Sequence, residues 1–365
     1  MAARRALRAK RPGLRTWVII GGALLMLIPA VTAGSFYTGT LQRRSEELLV
    51  DKLTGRGELS AGLLARRLHQ LWLQVEAFSR TVDIARLDKV REQIDFIGDL
   101  DQRYSWIGIA NVDGKVLAAS RGMLEGASVA QRPWFRRGLT GPTAVDVHEA
   151  QLLAQLLPQR AEPPRFIDLA APVKQDGGAT LGVLGAHLDW RWVIENLASM
   201  QAPGIDVLLL SRERTVLYGP PDLVNKPLTV GSALSANRAT SIVLDERWPD
   251  GKDYITVVIP AVGHDNLPSF GWSLLIRQDR DAALRPTRDL VRSFWTMLGA
   301  GALVAIILLA LGAQWITTPL RRLAGSAEAI LDDPEAGAPH VETRYDEAAR
   351  LSDALVRLQN ANSKQ

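Results

Sequence analysis

The sequence predicts an α+β membrane protein. A long N-terminal helix and two antiparallel-sheet units lie between two transmembrane helices, and a helical pair follows the second of these. Three observations predict it. Two uncharged apolar stretches, residues 16–37 and 294–316, sit near the ends of a 365-residue chain. The block between them, residues 38–293, carries a helical apolar stripe and then strand and turn signals that recur twice. Beyond residue 316, apolar residues return at spacings of three and four, as on the buried face of paired helices.

Residues 294–316 contain no charge, and an apolar helix of about 20 residues crosses a bilayer core of roughly 30 Å. Trp295 and Trp315 sit near its ends, where indole rings favour the headgroup layer. Arg321 and Arg322 follow and mark that end as cytoplasmic. In residues 16–37, Trp17, Phe36 and Tyr37 are the interface anchors, and Pro29 is tolerable inside a span. The rival reading is a cleaved signal peptide, with Val31-Thr32-Ala33 as its site. The apolar run exceeds the roughly 7–15 residues of a signal core, which favours an uncleaved anchor. Residues 1–15 carry Arg4, Arg5, Arg8, Lys10, Arg11 and Arg15 and no acid. Beside an apolar helix this run reads as a topology signal rather than a nucleic-acid site. Both termini are therefore expected in the cytoplasm and residues 38–293 outside it.

The 47% hydrophobic fraction is ordinary for a globular protein, so the membrane signal is local. A net charge of +4 gives no reason to expect a nucleic-acid partner. The absence of cysteine excludes disulfides and thiolate-held metal.

In the external block, residues 41–78 read as mainly helical. Leu64, Leu68, Leu71, Val75 and Phe78 form one stripe, and Gly55, Gly57 and Gly62 are expected to interrupt its start. Residues 105–110, the turn Asp113-Gly114 and residues 115–118 read as a hairpin. Residues 165–170 and 181–188 read as strands flanking the turn region 175–178, and 190–197 as a helix. The pattern recurs in a second hairpin, 204–210 with 215–218, and a second late pair, 254–259 with 271–276. The repeat is architectural, with little residue identity.

This layout resembles the double Cache (dCache) sensor domain of bacterial chemoreceptors, histidine kinases and diguanylate cyclases, whose units are PAS-like. The pieces that carry the resemblance are residues 106–116, Gln131-Arg132-Pro133-Trp134-Phe135, Phe166 to Val173 and Gly182 to Leu188, in the family's order. It implies a bacterial inner-membrane receptor with a periplasmic sensor whose membrane-distal unit holds a small ligand. Amino-acid-binding members use an Arg-x-Trp-Tyr-like motif for the ligand carboxylate, with tyrosines and two carboxylates for its amine. Arg132 and Trp134 match it, and Phe135 stands at the Tyr position without the hydroxyl. Asp146 is expected to match one amine-side carboxylate, His187 stands where the second would lie, and Ala127 where an upstream Tyr would lie. Half of the amine site is missing, which favours a carboxylate without an ammonium, or another small anion. His148 and Glu149 are candidates for further polar contacts. A guanidinium grips a carboxylate through two charge-assisted hydrogen bonds, and an indole adds an apolar wall and a donor. The alternative for Arg132 is a structural ion pair; for Trp134 it is core filling.

Residues 317–361 resemble a HAMP signal relay. Pro319 is expected to break or bend the helix leaving the membrane. Leu320, Leu323, Ala327 and Ile330 mark one stripe, Val341 a buried connector anchor, and Glu347 the start of a second helix with the stripe Leu351, Leu355, Leu358. Ala349 stands where the family often has Gly. In such modules two subunits make a four-helix bundle, so a homodimer is expected, because burial stabilises by about 25 cal/mol per Å² of apolar area. Residues 362–365 read as a tail, and no output domain is seen after the relay, so the expected cytoplasmic partner is a separate signalling protein.

No catalytic constellation stands out. His148-Glu149 lacks a second His four residues on, and no phosphate-binding Gly-x-x-x-x-Gly-Lys loop occurs. The sequence thus predicts a receptor with no catalytic residue, cofactor or metal. A periplasmic protein-interaction receptor is the alternative, and an external hydrolase the enzyme-class rival.

Overall fold

The computed structural model describes residues 12–150, 153–157, 163–175, 178–236, 238, 240–333, 337 and 339–362. The basic residues 4–11, residues 176 and 177 of the second turn, Pro334 and residues 363–365 of the tail lie outside them. The chain divides into two units, residues 45–285 and the two ends, residues 1–44 with 286–365.

Helix α1 is Leu14–Thr81. After it come α2 (Leu87–Leu100), strands β1 (Tyr104–Asn111) and β2 (Val116–Ala119), α3 (Pro133–Gly138), β3 (Thr143–Glu149), β4 (Arg165–Lys174), β5 (Thr180–Asp189) and α4 (Trp190–Ser199). The second half repeats the plan with β6 (Ile205–Leu210), β7 (Val216–Tyr218), α5 (Gly231–Ser235), β8 (Ile242–Arg247), β9 (Asp253–Ile259) and β10 (Ser273–Asp279). The two antiparallel sheets have orders β2-β1-β5-β4-β3 and β7-β6-β10-β9-β8, the same path traced twice.

The strands read from the sequence are the apolar ones, the inner strands and the short edges β2 and β7. The edge strands β3 and β8 were not apparent, nor were α2, α3 and α5. Asp245, Glu246 and Arg247 in β8, and Asp146, His148 and Glu149 in β3, break the apolar signal. Charges on a sheet edge deter pairing with other chains, so the same residues that protect these strands hide them.

The predicted stripe of α1 is buried in full, and Leu53 and Trp72 extend it. The three glycines do not interrupt the helix. Gly57 is where α1 comes close to the second sheet: a β-carbon there would sit 3.1 Å from Ile259 Cγ1 and 3.3 Å from Ile276 Cγ1.

Helix α6 (Arg280–Asp332) runs from the first unit into the other and continues past Pro319, so of the expected break or bend the break does not occur. Hydroxyl donors reach the carbonyls on either side of Trp315 O, the carbonyl that loses its helical N–H to Pro319. Thr317 Oγ1 donates to Ala313 O at 2.7 Å, Thr318 Oγ1 to Gln314 O at 2.6 Å, and Tyr345 Oη to Ile316 O at 2.9 Å. Both α1 and α6 contain a stretch long and apolar enough to cross a membrane. Small residues let them approach: a β-carbon on Gly22 would meet Leu309, and one on Gly34 would meet Phe294 and Trp295.

Helix α7 is Asp346–Asn362. Leu323 is buried and Leu320 half-buried, but α7 buries Ala348 and Ser352, leaving Leu355 half-covered and Leu351 and Leu358 exposed. Glu347 lies exposed in the first turn, where a carboxylate offsets the helix dipole. The expected connector anchor Val341 is exposed. Its neighbour Glu342 is buried instead, with His340 Nε2 at 3.0 Å and Arg322 Nη1 at 3.4 Å. A polar group buries when it is paired, and one chain alone offers Val341 no apolar cover.

Candidate functional site

Strands β1 and β5 pair with Gly108 opposite Gly185. The two glycines leave a flat floor for two indoles. A β-carbon on Gly108 would overlap the Trp106 ring, and one on Gly185 would lie 2.6 Å from Trp134 Cζ3. Trp106 Nε1 donates to Met123 O at 3.0 Å, and its ring lies 5.8 Å from that of Trp134. Trp134 enters on the first turn of α3. Arg132 is the extended residue capping that helix, and Pro133 follows, preset for a first helical position.

Across the sheet, Asp168 on β4 pairs with His187 on β5. The ring of His187 is held between Trp106, stacked at 4.8 Å, and Phe166, stacked at 5.7 Å. Its Nδ1 donates to Asp168 Oδ1 at 2.6 Å. The β3–β4 ladder shifts register between Val145 and His148. Such a bulge re-aims side chains, and both Val145 and His148 consequently face one cavity. His148 Nε2 contacts Asp168 Oδ2 at 2.8 Å, and His148 Nδ1 lies 3.2 Å from Glu149 O. The cavity measures about 170 Å³, with Arg132, Trp134, His148, Asp168 and His187 on its walls.

Asp168 is 1% exposed. Burial pushes its carboxyl up, but the charges and hydrogen bonds of His187 and His148 outweigh this and leave it below the usual carboxylate range. Burial likewise pulls His148 down, and the hydrogen bond and charge of Asp168 reverse it, raising the imidazole above its ordinary value.

Of the residues singled out from the sequence, Arg132, Trp134, His148 and His187 meet at this cavity, and Glu149 lines it. Phe135 does not line it. It is buried behind Trp134, edge-on at 5.9 Å, and serves the core. Asp146 is not brought to the cavity either. Strand alternation turns it away from the face that Val145 occupies, and its Oδ1 accepts from Trp272 Nε1, just before β10, at 2.6 Å. Asp168, Trp106 and Phe166 were not singled out. The available signal was a lone carboxylate inside the apolar run Phe166 to Val173.

Burial raises the Asp146 carboxyl, against the opposing bonds from Trp272 and Val147. A carboxyl raised on folding favours the folded state below its unfolded pKa, and that advantage is lost as pH rises through the folded value. Asp146→Asn keeps an acceptor for Trp272 without the charge. We expect it to match or exceed the parent in thermal stability at pH 7.5, with the difference fading toward pH 4, and to leave ligand affinity unchanged.

In the second sheet an aromatic pair faces a cation of the chain itself. There the Arg277 guanidinium lies 4.1 Å from the ring centres of both Trp248 and Tyr254, and its Nε donates to Asp206 Oδ2 at 2.9 Å. The aromatic pair is occupied by the chain's own cation.

No family model and no curated protein matches the sequence. Solved structures do match. The ligand-binding domain of the Pseudomonas fluorescens chemoreceptor CtaA, in complex with L-leucine, is 22% identical with a TM-score of 0.51, covering 65% of this chain and 97% of that one. The same domain with L-isoleucine gives 21% identity and a TM-score of 0.52, covering 67% and 98%. The ligand-binding domain of the Pseudomonas aeruginosa amino-acid chemoreceptor PctB, in complex with L-Arg, gives 20% and 0.50, covering 65% and 97%. About two thirds of the chain thus shares the fold of these chemoreceptor ligand-binding domains, in line with the double Cache resemblance.

Proposed function

We propose that the chain is a bacterial inner-membrane receptor whose external unit binds a small carboxylate or other anion in the cavity beside Arg132. The observation that carries this reading is the division of the cavity. One wall offers the Arg132 guanidinium and the Trp134 indole, a pairing suited to a carboxylate. On the other wall both oxygens of Asp168 are engaged by imidazoles, so a ligand ammonium would have to displace one of them. The CtaA and PctB domains are in complex with amino acids; this cavity favours the same carboxylate end without the amine.

Occupancy is relayed through the second span to the HAMP-like segment. There Pro319, Leu320 and Leu323 on α6 and Glu347, Leu351 and Leu355 on α7 take part in repacking within a homodimer, which covers Leu351 and Leu358. A separate cytoplasmic protein receives the signal. A ligand shifts such an equilibrium only by its difference in affinity between the two states.

The test is a thermal-shift screen of the detergent-solubilised full chain against matched pairs of 2-hydroxy or 2-oxo acids and the α-amino acids of the same skeleton. Binding at 100 times Kd stabilises by about 2.7 kcal/mol. The acids without an ammonium are expected to raise Tm, and the amino acids to do so less. The reverse order would contradict the reading.

A further inference from the structure

We propose that the external cavity holds a divalent transition-metal ion between His148 Nε2, His187 Nδ1 and the Asp168 carboxylate, with an open coordination position facing the cavity. The inference deepens the reading of this cavity as an anion site and rests on it for the ligand that fills the open position.

The first argument is the ring of His148. Its Nδ1 faces the Glu149 carbonyl at 3.2 Å and its Nε2 faces Asp168 Oδ2 at 2.8 Å. Both partners are acceptors, and a neutral imidazole has one N–H to give. A neutral ring would therefore point a lone pair at an acceptor on one side. A positive species belongs in that place, either a second ring proton or a metal ion. With the proton on Nδ1 and held by a backbone carbonyl, Nε2 presents its lone pair, as metal-ligating histidines do.

The second argument is convergence. His187 aims Nδ1 at the other oxygen of the same carboxylate, and the rings of Trp106 and Phe166 fix its direction. The three ligating atoms lie within 4.8 Å of one another. Zinc takes nitrogen and oxygen at about 2.0–2.2 Å, and tetrahedral placement at such lengths separates neighbouring ligand atoms by roughly 3.3 Å. The present 2.6 and 2.8 Å separations need only a small opening. His148 can supply it, since it sits on the bulged edge strand with 40% of its side chain exposed.

The third argument is chemical type and charge. Two imidazoles with one carboxylate suit zinc and its first-row neighbours, whereas calcium and magnesium prefer all-oxygen sets. Three protein ligands leave a position open. With Arg132, Asp168 and Glu149 on the same cavity, a divalent ion at this point leaves the site one charge positive, which one bound carboxylate neutralises. Metal and anion are thus expected to strengthen each other's binding by the same factor.

Zinc is the probe. The full chain in detergent, stripped with a chelator and desalted, is titrated with zinc chloride by calorimetry, and bound metal is counted. One tight zinc per chain is expected. His148→Ala and Asp168→Asn should each weaken it at least tenfold, and together remove it. His148 is on an exposed edge and Asp168→Asn is nearly isosteric, so folding is preserved and is checked by circular dichroism. His69→Ala, at the second group of His69, His264 and Asp265, should leave the tight site unchanged. No tight zinc, with His148 titrating as an imidazolium by NMR, would overturn the proposal, as would tight zinc that survives the double substitution. If zinc fails while a carboxylate still binds through Arg132, the metal site falls and the receptor reading stands. If zinc binds and no carboxylate does, the site stands and the anion reading falls.

Discussion

His187→Ala is expected to destabilise residues 45–285 of the metal-free chain by roughly 1–3 kcal/mol, the cost of leaving one oxygen of a buried carboxylate unsatisfied while His148 still holds the other. Asp168 is 1% exposed, and His187 is the partner bonded to Oδ1. Truncating His187 leaves one oxygen of a buried carboxylate facing a void between Trp106 and Phe166. Asp168→Asn removes the charge and keeps a group of the same shape, so it should cost less than His187→Ala. The double variant should be more stable than the sum of the two losses predicts, since contacting residues couple. The cost also depends on pH. The Asp168 carboxyl is depressed in the folded chain. Its stabilising share is therefore present above the unfolded carboxyl range and disappears as pH falls through the depressed value. The deficit of His187→Ala should accordingly be large at pH 7.5 and narrow only below pH 4, as at pH 3. Thermal melts at both pH values, with chelator present, measure this. A larger cost for Asp168→Asn than for His187→Ala would show that the carboxylate is not held as described.

Gly185→Ala should cost about 1–3 kcal/mol by overpacking and weaken ligand binding at least about 100-fold, because near-optimal placement of a contacting group carries effects of this order. The added carbon would lie 2.6 Å from Trp134 Cζ3 and 2.7 Å from Trp134 Cε3. Neither side yields readily. The glycine belongs to the central strand β5, and Trp134 is buried between Trp106 and Phe135. The indole must leave the floor, and it carries one wall of the cavity with it. Gly62→Ala in α1 is the contrasting case, since a β-carbon there meets only Arg66 side-chain nitrogens at 3.9 Å. It should stabilise by roughly 0.5–1 kcal/mol, the helical gain of alanine over glycine. Equal effects of the two substitutions would remove the argument for a glycine floor.

How far the sequence could be read follows from how each contact is encoded. The stripe of α1 repeats at the helical period and the strands other than β3 and β8 are short apolar runs next to turn residues, so local sequence reveals them. Strands β3 and β8 carry their charges on sheet edges, and no local period survives. The Arg132 and Trp134 wall lies within three residues and is visible as a motif. The opposite wall joins His148, Asp168 and His187 from three strands, brought together by register alone. Asp146 shows the limit most clearly. Its neighbour in sequence, Val145, faces the cavity, so alternation sends Asp146 to Trp272, while the extra residue in the ladder returns His148 to the cavity face. Pro319 removes one helical N–H, but a proline is tolerated within a long apolar helix and α6 continues through it.

The most direct measurement is a calorimetric titration of the full chain with the carboxylate that stabilises it best, set against the same titration of Arg132→Ala. Loss of one partner in a desolvated charged pair costs about 2–5 kcal/mol, so saturable one-to-one binding by the parent should weaken by at least about 30-fold. Undiminished affinity in Arg132→Ala would place the ligand elsewhere and contradict the account.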